Sequence, residues 1–69
     1  MATGTVQWFN PVMGNGYIKP TDGGADVLVR GLAVERAGWK TLTAGQDLEY
    51  EVAAGLDGRL SAVTLKLID

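Results

Sequence analysis

The sequence contains no cysteine and no histidine among its 69 residues. The absence of cysteine excludes disulfide bonds, and the absence of both types removes the ligands of most structural zinc sites. It also removes two side chains that often act as nucleophile and general base. No apolar run approaches the roughly 20 residues that a membrane-spanning helix needs. We therefore expect no metal, no cofactor, no membrane contact and no enzymatic activity.

Basic residues are also scarce, because six Lys and Arg residues stand against eight Asp and Glu residues, for a net charge of −2. This balance argues against a nucleic-acid binder held mainly by phosphate contacts. It does not exclude nucleic acid, because bases that stack on aromatic rings can supply much of the affinity for a single strand. Hydrophobic residues make up 46% of the chain. So small a domain cannot bury them all, and we expect an exposed apolar patch.

The carboxylates form no pattern typical of a catalytic or metal site. Asp22 and Asp26 flank a glycine turn, where aspartate is common. The acidic residues within Asp47–Glu51 alternate along one side of a predicted strand. Their spacing matches no calcium-binding loop. Ser61, the single serine, lies inside another predicted strand and has no general base beside it in the sequence.

Ten glycines divide the chain into short segments rich in Val, Leu, Thr and aromatic residues, which is typical of all-β proteins. The predicted strands are Gly4–Asn10, Gly16–Pro20, Asp26–Arg30, Gln46–Val52 and Leu60–Leu67. Between Gly31 and Ala44 the pattern stops, and "LAVERAG" predicts one helical turn that ends at Gly38. Five short strands with a long connection after the third predict a single domain over residues 1–69. Its expected fold is an all-β, five-stranded antiparallel Greek-key barrel of the OB type, although an open five-stranded sandwich fits almost as well.

Alternation within the strands predicts which side chains share a face of the sheet. The third strand places two valines on one face and Leu28 and Arg30 on the other. In the fourth strand, Leu48, Tyr50 and Val52 are in phase, so Tyr50 is expected in the core. The predicted sets are Val27 with Val29, Leu48 with Tyr50 and Val52, Val63 with Leu65 and Leu67, and Ala62 with Thr64 and Lys66.

The remaining aromatic residues are candidates for an exposed surface. Tyr17 is out of phase with Ile18 and should point outward, and Trp39 lies in a polar loop and should also be exposed. Trp8 and Phe9 are adjacent, so a regular strand cannot bury both on one face. Alternation from an interior valine would bury Trp8, whereas a bulge or bend near the end of the strand, at Asn10, would expose it. We expect Trp8 to face outward.

Five segments in this order and spacing resemble bacterial cold-shock domain proteins over essentially the whole chain. They are "GTVQWFN" at 4–10, "GNGYI" at 14–18, "P-x-DGG-x-DV-x-V" at 20–29, "AVERAG" at 33–38 and "L-x-x-GQ-x-L-x-YE" at 42–51. The resemblance implies the five-stranded OB barrel, a cytoplasmic location and no enzymatic activity. It also implies binding of single-stranded RNA or DNA, with bases stacked on aromatic residues of the first three strands, as in RNA chaperones that keep transcripts unfolded.

The chain departs from the family's nucleic-acid motifs at several positions. The family typically has lysine where this chain has Gln7 and Met13, an aromatic ring where it has Asn15 and Leu28, and histidine where it has Arg30. The residues that the resemblance assigns to nucleic-acid contact are Trp8, Phe9, Asn15, Tyr17, Asp26, Arg30, Trp39 and Lys40.

The two missing rings set the expected loss of affinity. Each base–aromatic stack contributes about 1–3 kcal/mol, so losing the rings at Asn15 and Leu28 removes about 2–6 kcal/mol, or roughly 30-fold to 10⁴-fold in affinity. The Arg30 guanidinium, which can stack on a base and pair with phosphate, offsets part of this loss. We expect weaker or altered single-strand binding. The alternative is a barrel with little nucleic-acid binding whose apolar patch of Leu28, Met13 and Val12 serves a homodimer or another protein partner.

Overall fold

The computed structural model describes residues 1–55 and 57–68. The elements are β1 (Ala2–Asn10), β2 (Asn15–Pro20), β3 (Val27–Arg30), α1 (Gly31–Arg36), β4 (Asp47–Ala54) and β5 (Leu60–Leu67). The strands form a closed barrel in the order β1-β2-β3-β5-β4, with β4 also paired to β1. Four pairings are antiparallel, and β3 pairs with β5 in parallel. The barrel of the OB type is thus confirmed, and the open sandwich is excluded because each strand has two neighbours.

The interior of the barrel is filled by apolar side chains from all five strands, helix α1 and the connection that follows it. They are Val6, Ile18, Val27, Val29, Ala33, Val34, Leu42, Leu48, Tyr50, Ala62 and Leu65. Tyr50 is only 1% exposed, as its phase predicts. Its hydroxyl donates to the Thr3 carbonyl oxygen at 3.4 Å. Burial raises the pKa of Tyr50, and the negative charge of Asp22 raises it further.

A bulge in β1 decides the orientation of the two adjacent aromatic residues. Val6 pairs with Ile18 and Trp8 pairs with Tyr17, so Gln7 is an extra residue in β1. An extra residue reverses the alternation that follows it. Trp8 therefore faces outward, as expected, and Phe9 packs against the core. The observed bulge precedes Trp8, whereas the bulge or bend considered from the sequence lies near the end of the strand, at Asn10.

A second bulge, in β5, overturns part of the phase that alternation predicts there. Glu51 pairs with Thr64 and Val52 pairs with Ala62, so Val63 is the extra residue. Ala62 is consequently buried and Val63 is 39% exposed, the reverse of the prediction that Val63 shares a face with Leu65. Val52 remains opposite Ala62 but is 43% exposed, because β1 pairs with β4 only as far as Tyr50 and does not cover it.

The end of helix α1 fixes the position of Trp39. Gly38 has a φ of 88°, which favours glycine, and its N–H donates to the Glu35 carbonyl oxygen at 2.9 Å. The Trp39 N–H donates to the Val34 carbonyl oxygen at 3.1 Å, which completes a Schellman motif. Gly38 is thus confirmed as the helix stop. The expected exposure of Trp39 is wrong, because this motif places its ring half-buried against the core.

Candidate nucleic-acid interface

The outer face of β1, β2 and β3 carries two rows of side chains set by strand pairing. The first row is Trp8, Tyr17 and Leu28, and the second row is Asn10, Asn15 and Arg30. Because directly paired residues point to the same side of a sheet, each row forms a continuous strip. We call this surface the outer face. It brings together four of the residues assigned to nucleic-acid contact: Trp8, Asn15, Tyr17 and Arg30.

The exposed aromatic surface is a pair of rings in the first row. Trp8 is 45% exposed, and Tyr17 is half-buried beside it. Their ring centroids lie 5.5 Å apart at an interplanar angle of 62°, an edge-to-face arrangement that stabilises aromatic pairs. The contact limits the rotation of both side chains, so this aromatic surface is preformed.

Gly16 allows β1 and β2 to approach closely beneath this pair. A Cβ at this position would lie 2.7 Å from Phe9 Cα and 2.9 Å from Phe9 Cδ1, and it would collide with the Trp8 carbonyl oxygen. Phe9 pairs with Gly16 and faces the core rather than the exposed rings. The structure thus separates Phe9 from Trp8 and Tyr17 and places it as support underneath them.

The turn between β1 and β2 is held by the Asn10 side chain. Its Oδ1 accepts hydrogen bonds from the backbone N–H groups of Val12 at 2.9 Å and Met13 at 3.2 Å. The Gly14 carbonyl oxygen accepts from the N–H of Gly31 at 2.7 Å, which ties the turn to the start of α1. Val12 and Met13 are therefore presented outward, 94% and 70% exposed.

An open groove of about 440 Å³ continues from the first row. Its lining includes Tyr17, Asp26, Leu28, Arg59 and Leu60. The parallel pairing of Leu28 with Ser61 brings the start of β5 and the residues before it alongside β3. Sequence reasoning missed Arg59, which lies far along the chain from the aromatic motifs. The signal that could have found it was the Greek-key topology, which places the fifth strand beside the third.

Asp26 lies at the edge of this groove and is held by Gln7. The Gln7 Nε2 donates to Asp26 Oδ1 at 3.0 Å. Because Gln7 is neutral, it fixes the carboxylate without cancelling its charge, whereas the lysine typical of the family would add a positive charge here. The substitution therefore makes this edge of the groove less attractive to phosphate.

Asn15 carries an unsatisfied polar atom in the second row. Its Oδ1 is buried and has no hydrogen-bond partner among the described residues. An unpaired buried acceptor costs about 1–3 kcal/mol. An aromatic ring at this position, as is typical of the family, would carry no such cost.

The last three assigned residues, Arg30, Trp39 and Lys40, lie outside the groove beside Tyr17. Arg30 is exposed and lines a second, smaller groove between α1 and β5, not the groove beside Tyr17. Trp39 and Lys40 belong to the connection after α1; Lys40 is exposed, whereas Trp39 packs against the core.

Residues 1–55 and 57–68 contain no group of three or more acidic side chains placed to hold a metal ion. The same residues include no helix that is long and apolar enough to cross a membrane. Two carboxylates accept hydrogen bonds that support the fold: Asp22 accepts from the Gly24 N–H at 2.9 Å within a turn, and Asp47 accepts from the Thr5 hydroxyl at 2.7 Å across the pairing of β1 with β4. The turn role expected for Asp22 is thus confirmed.

A closed five-stranded barrel with exposed rings beside an open groove defines an OB-type barrel of the class that binds single strands. Comparison with known proteins gives the family. The model of the 'cold-shock' DNA-binding domain matches residues 2–68, and the chain belongs to this family of nucleic-acid-binding, non-enzymatic proteins. The chain is a cold-shock-like protein that binds single-stranded nucleic acid.

Three relatives show the extent of the similarity. A probable cold shock protein of Sinorhizobium fredii is 51% identical over 67 residues, which cover 96% of this chain and 97% of the relative. The cold shock protein CspA of Rhizobium meliloti is 45% identical, with the same coverage. The cold shock-like protein CspE of Escherichia coli is 42% identical over 64 residues and 93% of each chain.

Proposed function

We propose that this barrel holds a short single strand of RNA or DNA on its outer face, with bases stacked on Trp8 and Tyr17. The observation that supports this is the preformed edge-to-face pair beside an open groove of about 440 Å³. We further propose that it binds more weakly than family members with rings in place of Asn15 and Leu28. Two stacking positions are lost, and Asp26 keeps an uncancelled negative charge beside the site.

The groove offers further contacts that offset part of this loss. Leu28 provides an apolar surface for a base. Among the described residues, the Arg59 side chain has one long ion pair, with Asp57; its Nε lies 3.8 Å from the Asp57 Oδ2, and the two side chains are 74% and 66% exposed. Such an exposed pair contributes little, so Arg59 can exchange its carboxylate for a phosphate at small cost.

The other assigned residues have secondary roles in this proposal. Phe9 supports the exposed rings from beneath. Lys40 and the accessible part of Trp39 contact the bound nucleic-acid strand where it passes the connection after α1. Weak binding through stacking suits an RNA chaperone that releases transcripts readily, and we propose this role for the domain, residues 1–69, in the cytoplasm.

Titration of tryptophan fluorescence with oligothymidylate and with a uridine-rich RNA tests the proposal, since Trp8 reports contact with bases. Replacing Tyr17 with alanine should weaken binding by about 1–3 kcal/mol, or roughly 5- to 150-fold, because one stack is lost. Tyr17→Phe is the matched control, because it keeps the ring and should bind nearly as tightly as the parent. No quenching at high micromolar oligonucleotide and low salt would refute the proposal.

A second candidate is a homodimer or another protein complex through Leu28, Met13 and Val12. The observation that favours it is the 94% and 70% exposure of Val12 and Met13. A stable interface buries about 800 Å² per partner, nearly a fifth of the 4542 Å² surface of this chain. Two side chains of one turn cannot supply that area, so the interface would extend over the outer face to Leu28.

This second candidate predicts competition between protein association and nucleic acid. Sedimentation equilibrium over a wide concentration range should then show a dimer that dissociates when oligothymidylate is added. Met13→Asp should abolish the dimer, because it places a charge in the interface. A monomer at all concentrations, together with no partner recovered by affinity capture, would rule it out.

A further inference from the structure

A second groove runs along the side of the barrel between α1 and β5. Its lining includes Arg30, Leu32, Arg36, Ser61 and Val63, and it encloses about 110 Å³. A further depression of about 260 Å³ shares Arg36 and Val63 with it and extends it along β5. We call the two together the helix groove. None of the aromatic residues in the first row of the outer face lines it.

The fold places two arginines at this groove. Arg30 is the last residue of β3, and Arg36 is the last residue of α1, so the short helix carries the chain from one to the other. The only ion pair among the described residues joins Arg59 and Asp57. Neither of the two groove arginines is therefore paired with a carboxylate of the described residues. Glu35 is not among the side chains that line the groove. Two of the six basic residues of a net acidic chain thus share one small depression.

The groove also presents apolar side chains between these charges. Leu32 is 59% exposed, and the bulge in β5 turns Val63 outward to 39% exposure. Guanidinium groups pair well with phosphates, and apolar side chains accept the faces of bases. This combination matches a single strand of nucleic acid.

The helix groove is continuous with the outer face. Arg30 pairs with Asn15 in the second row, and Leu28 of the first row pairs with Ser61, which lies in the groove. A single strand of nucleic acid that lies across the outer face therefore reaches the helix groove without leaving the protein surface.

We propose that the helix groove extends the binding path and holds nucleotides beyond those stacked on Trp8 and Tyr17, with Arg30 and Arg36 on the phosphates. This inference rests on the proposed function, because it requires a nucleic-acid strand bound on the outer face. Sites of about 4–16 nucleotides per OB fold leave room for such an extension.

The dependence of affinity on oligonucleotide length tests this inference. Oligothymidylates of about 4 and about 12 nucleotides span the lower and upper parts of the range known for OB folds. Arg36→Gln should leave binding of the short oligonucleotide within about 2-fold and weaken the long one by about 3- to 10-fold, the loss expected for one solvent-exposed hydrogen bond of typical net strength. It should also reduce the slope of log K against log salt concentration by about 0.7 for the long oligonucleotide alone, because one phosphate contact is lost.

Lys66→Gln is the matched control, because it removes one exposed positive charge from β5 outside the helix groove. An equal effect of the two variants, or an effect of Arg36→Gln that does not depend on length, would overturn the extended path and leave the proposed function intact. Failure of the parent protein to bind either oligonucleotide would overturn both. Thermal unfolding of each variant verifies that it is folded.

Discussion

The two positions on the outer face that lack rings allow a gain-of-function test. Replacing Asn15 and Leu28 together with phenylalanine should restore one aromatic side chain to each row. Both lie on a solvent-accessible surface, and Leu28 borders an open groove of about 440 Å³ that has room for a larger side chain. The double substitution should therefore be tolerated by the fold.

The structure also sets different magnitudes for the two changes. Leu28 already offers apolar contact to a base, so its replacement should gain only about 1 kcal/mol, the lower end for a stack. Asn15 offers no such surface, so its replacement should gain about 1–3 kcal/mol. The sum of about 2–4 kcal/mol corresponds to roughly 30- to 700-fold tighter binding. Asn15→Phe should not lower stability either, because it removes a buried acceptor that has no partner among the described residues.

The assay is fluorescence titration with oligothymidylate for the parent, both single variants and the double variant. Leu67→Phe is the matched control, because it makes the same substitution at a 45% exposed position of β5 that lies outside the outer face. Urea unfolding of each variant establishes that changes in affinity do not come from changes in stability. If the folded double variant binds no more tightly than Leu67→Phe, the outer face is not the binding surface.

Two further predictions concern the barrel itself. Gly16→Ala should lower the free energy of unfolding in urea by about 1–3 kcal/mol, because its Cβ would overlap the β1 backbone. Gly31→Ala is the control, since the nearest atom lies at an ordinary 3.4 Å, and equal losses would contradict the reasoning. The second prediction follows from the raised pKa of Tyr50, since the folded state favours the neutral phenol over the phenolate. The stability that the neutral phenol contributes is complete below pH 10.0, the ordinary pKa of tyrosine. It is lost as the pH rises through the higher pKa of the folded state. Tyr50→Phe should remove the loss of stability at alkaline pH that the phenol causes. Urea unfolding of the parent and the variant from pH 8 to 11 measures this difference. Identical dependence of the unfolding free energy on pH in the two proteins would refute the prediction.

The outline of the fold follows from local sequence patterns. Every predicted strand end lies within two residues of the observed one, because short β-rich segments are separated by glycine turns. Gly38 marks the end of α1 because glycine readily takes the positive φ that this helix end requires. Tyr50 lies in the core because β4 has no bulge before it and its alternation is regular.

Local patterns fail where a bulge in the pairing with a neighbouring strand shifts the alternation of side chains. The extra residues Gln7 and Val63 are visible only against their partner strands, yet they decide that Trp8 is exposed and that Ala62 is buried. Trp39 is drawn against the core by hydrogen bonds to the preceding helix, although its neighbours in the sequence are polar.

The sequence by itself determined the all-β class with five strands, the absence of cysteine and histidine, and the loss of two rings and two lysines from the nucleic-acid motifs. These properties depend on residue type and on local spacing. The tertiary structure decided which aromatic rings face solvent, that Arg59 joins the groove beside Tyr17, and that Arg30 and Arg36 share another groove. Those outcomes depend on the two bulges and on the parallel pairing of β3 with β5. The bulges are set by the pairing of consecutive strands, β1 with β2 and β4 with β5, whereas the parallel pairing joins residues that are far apart in the chain.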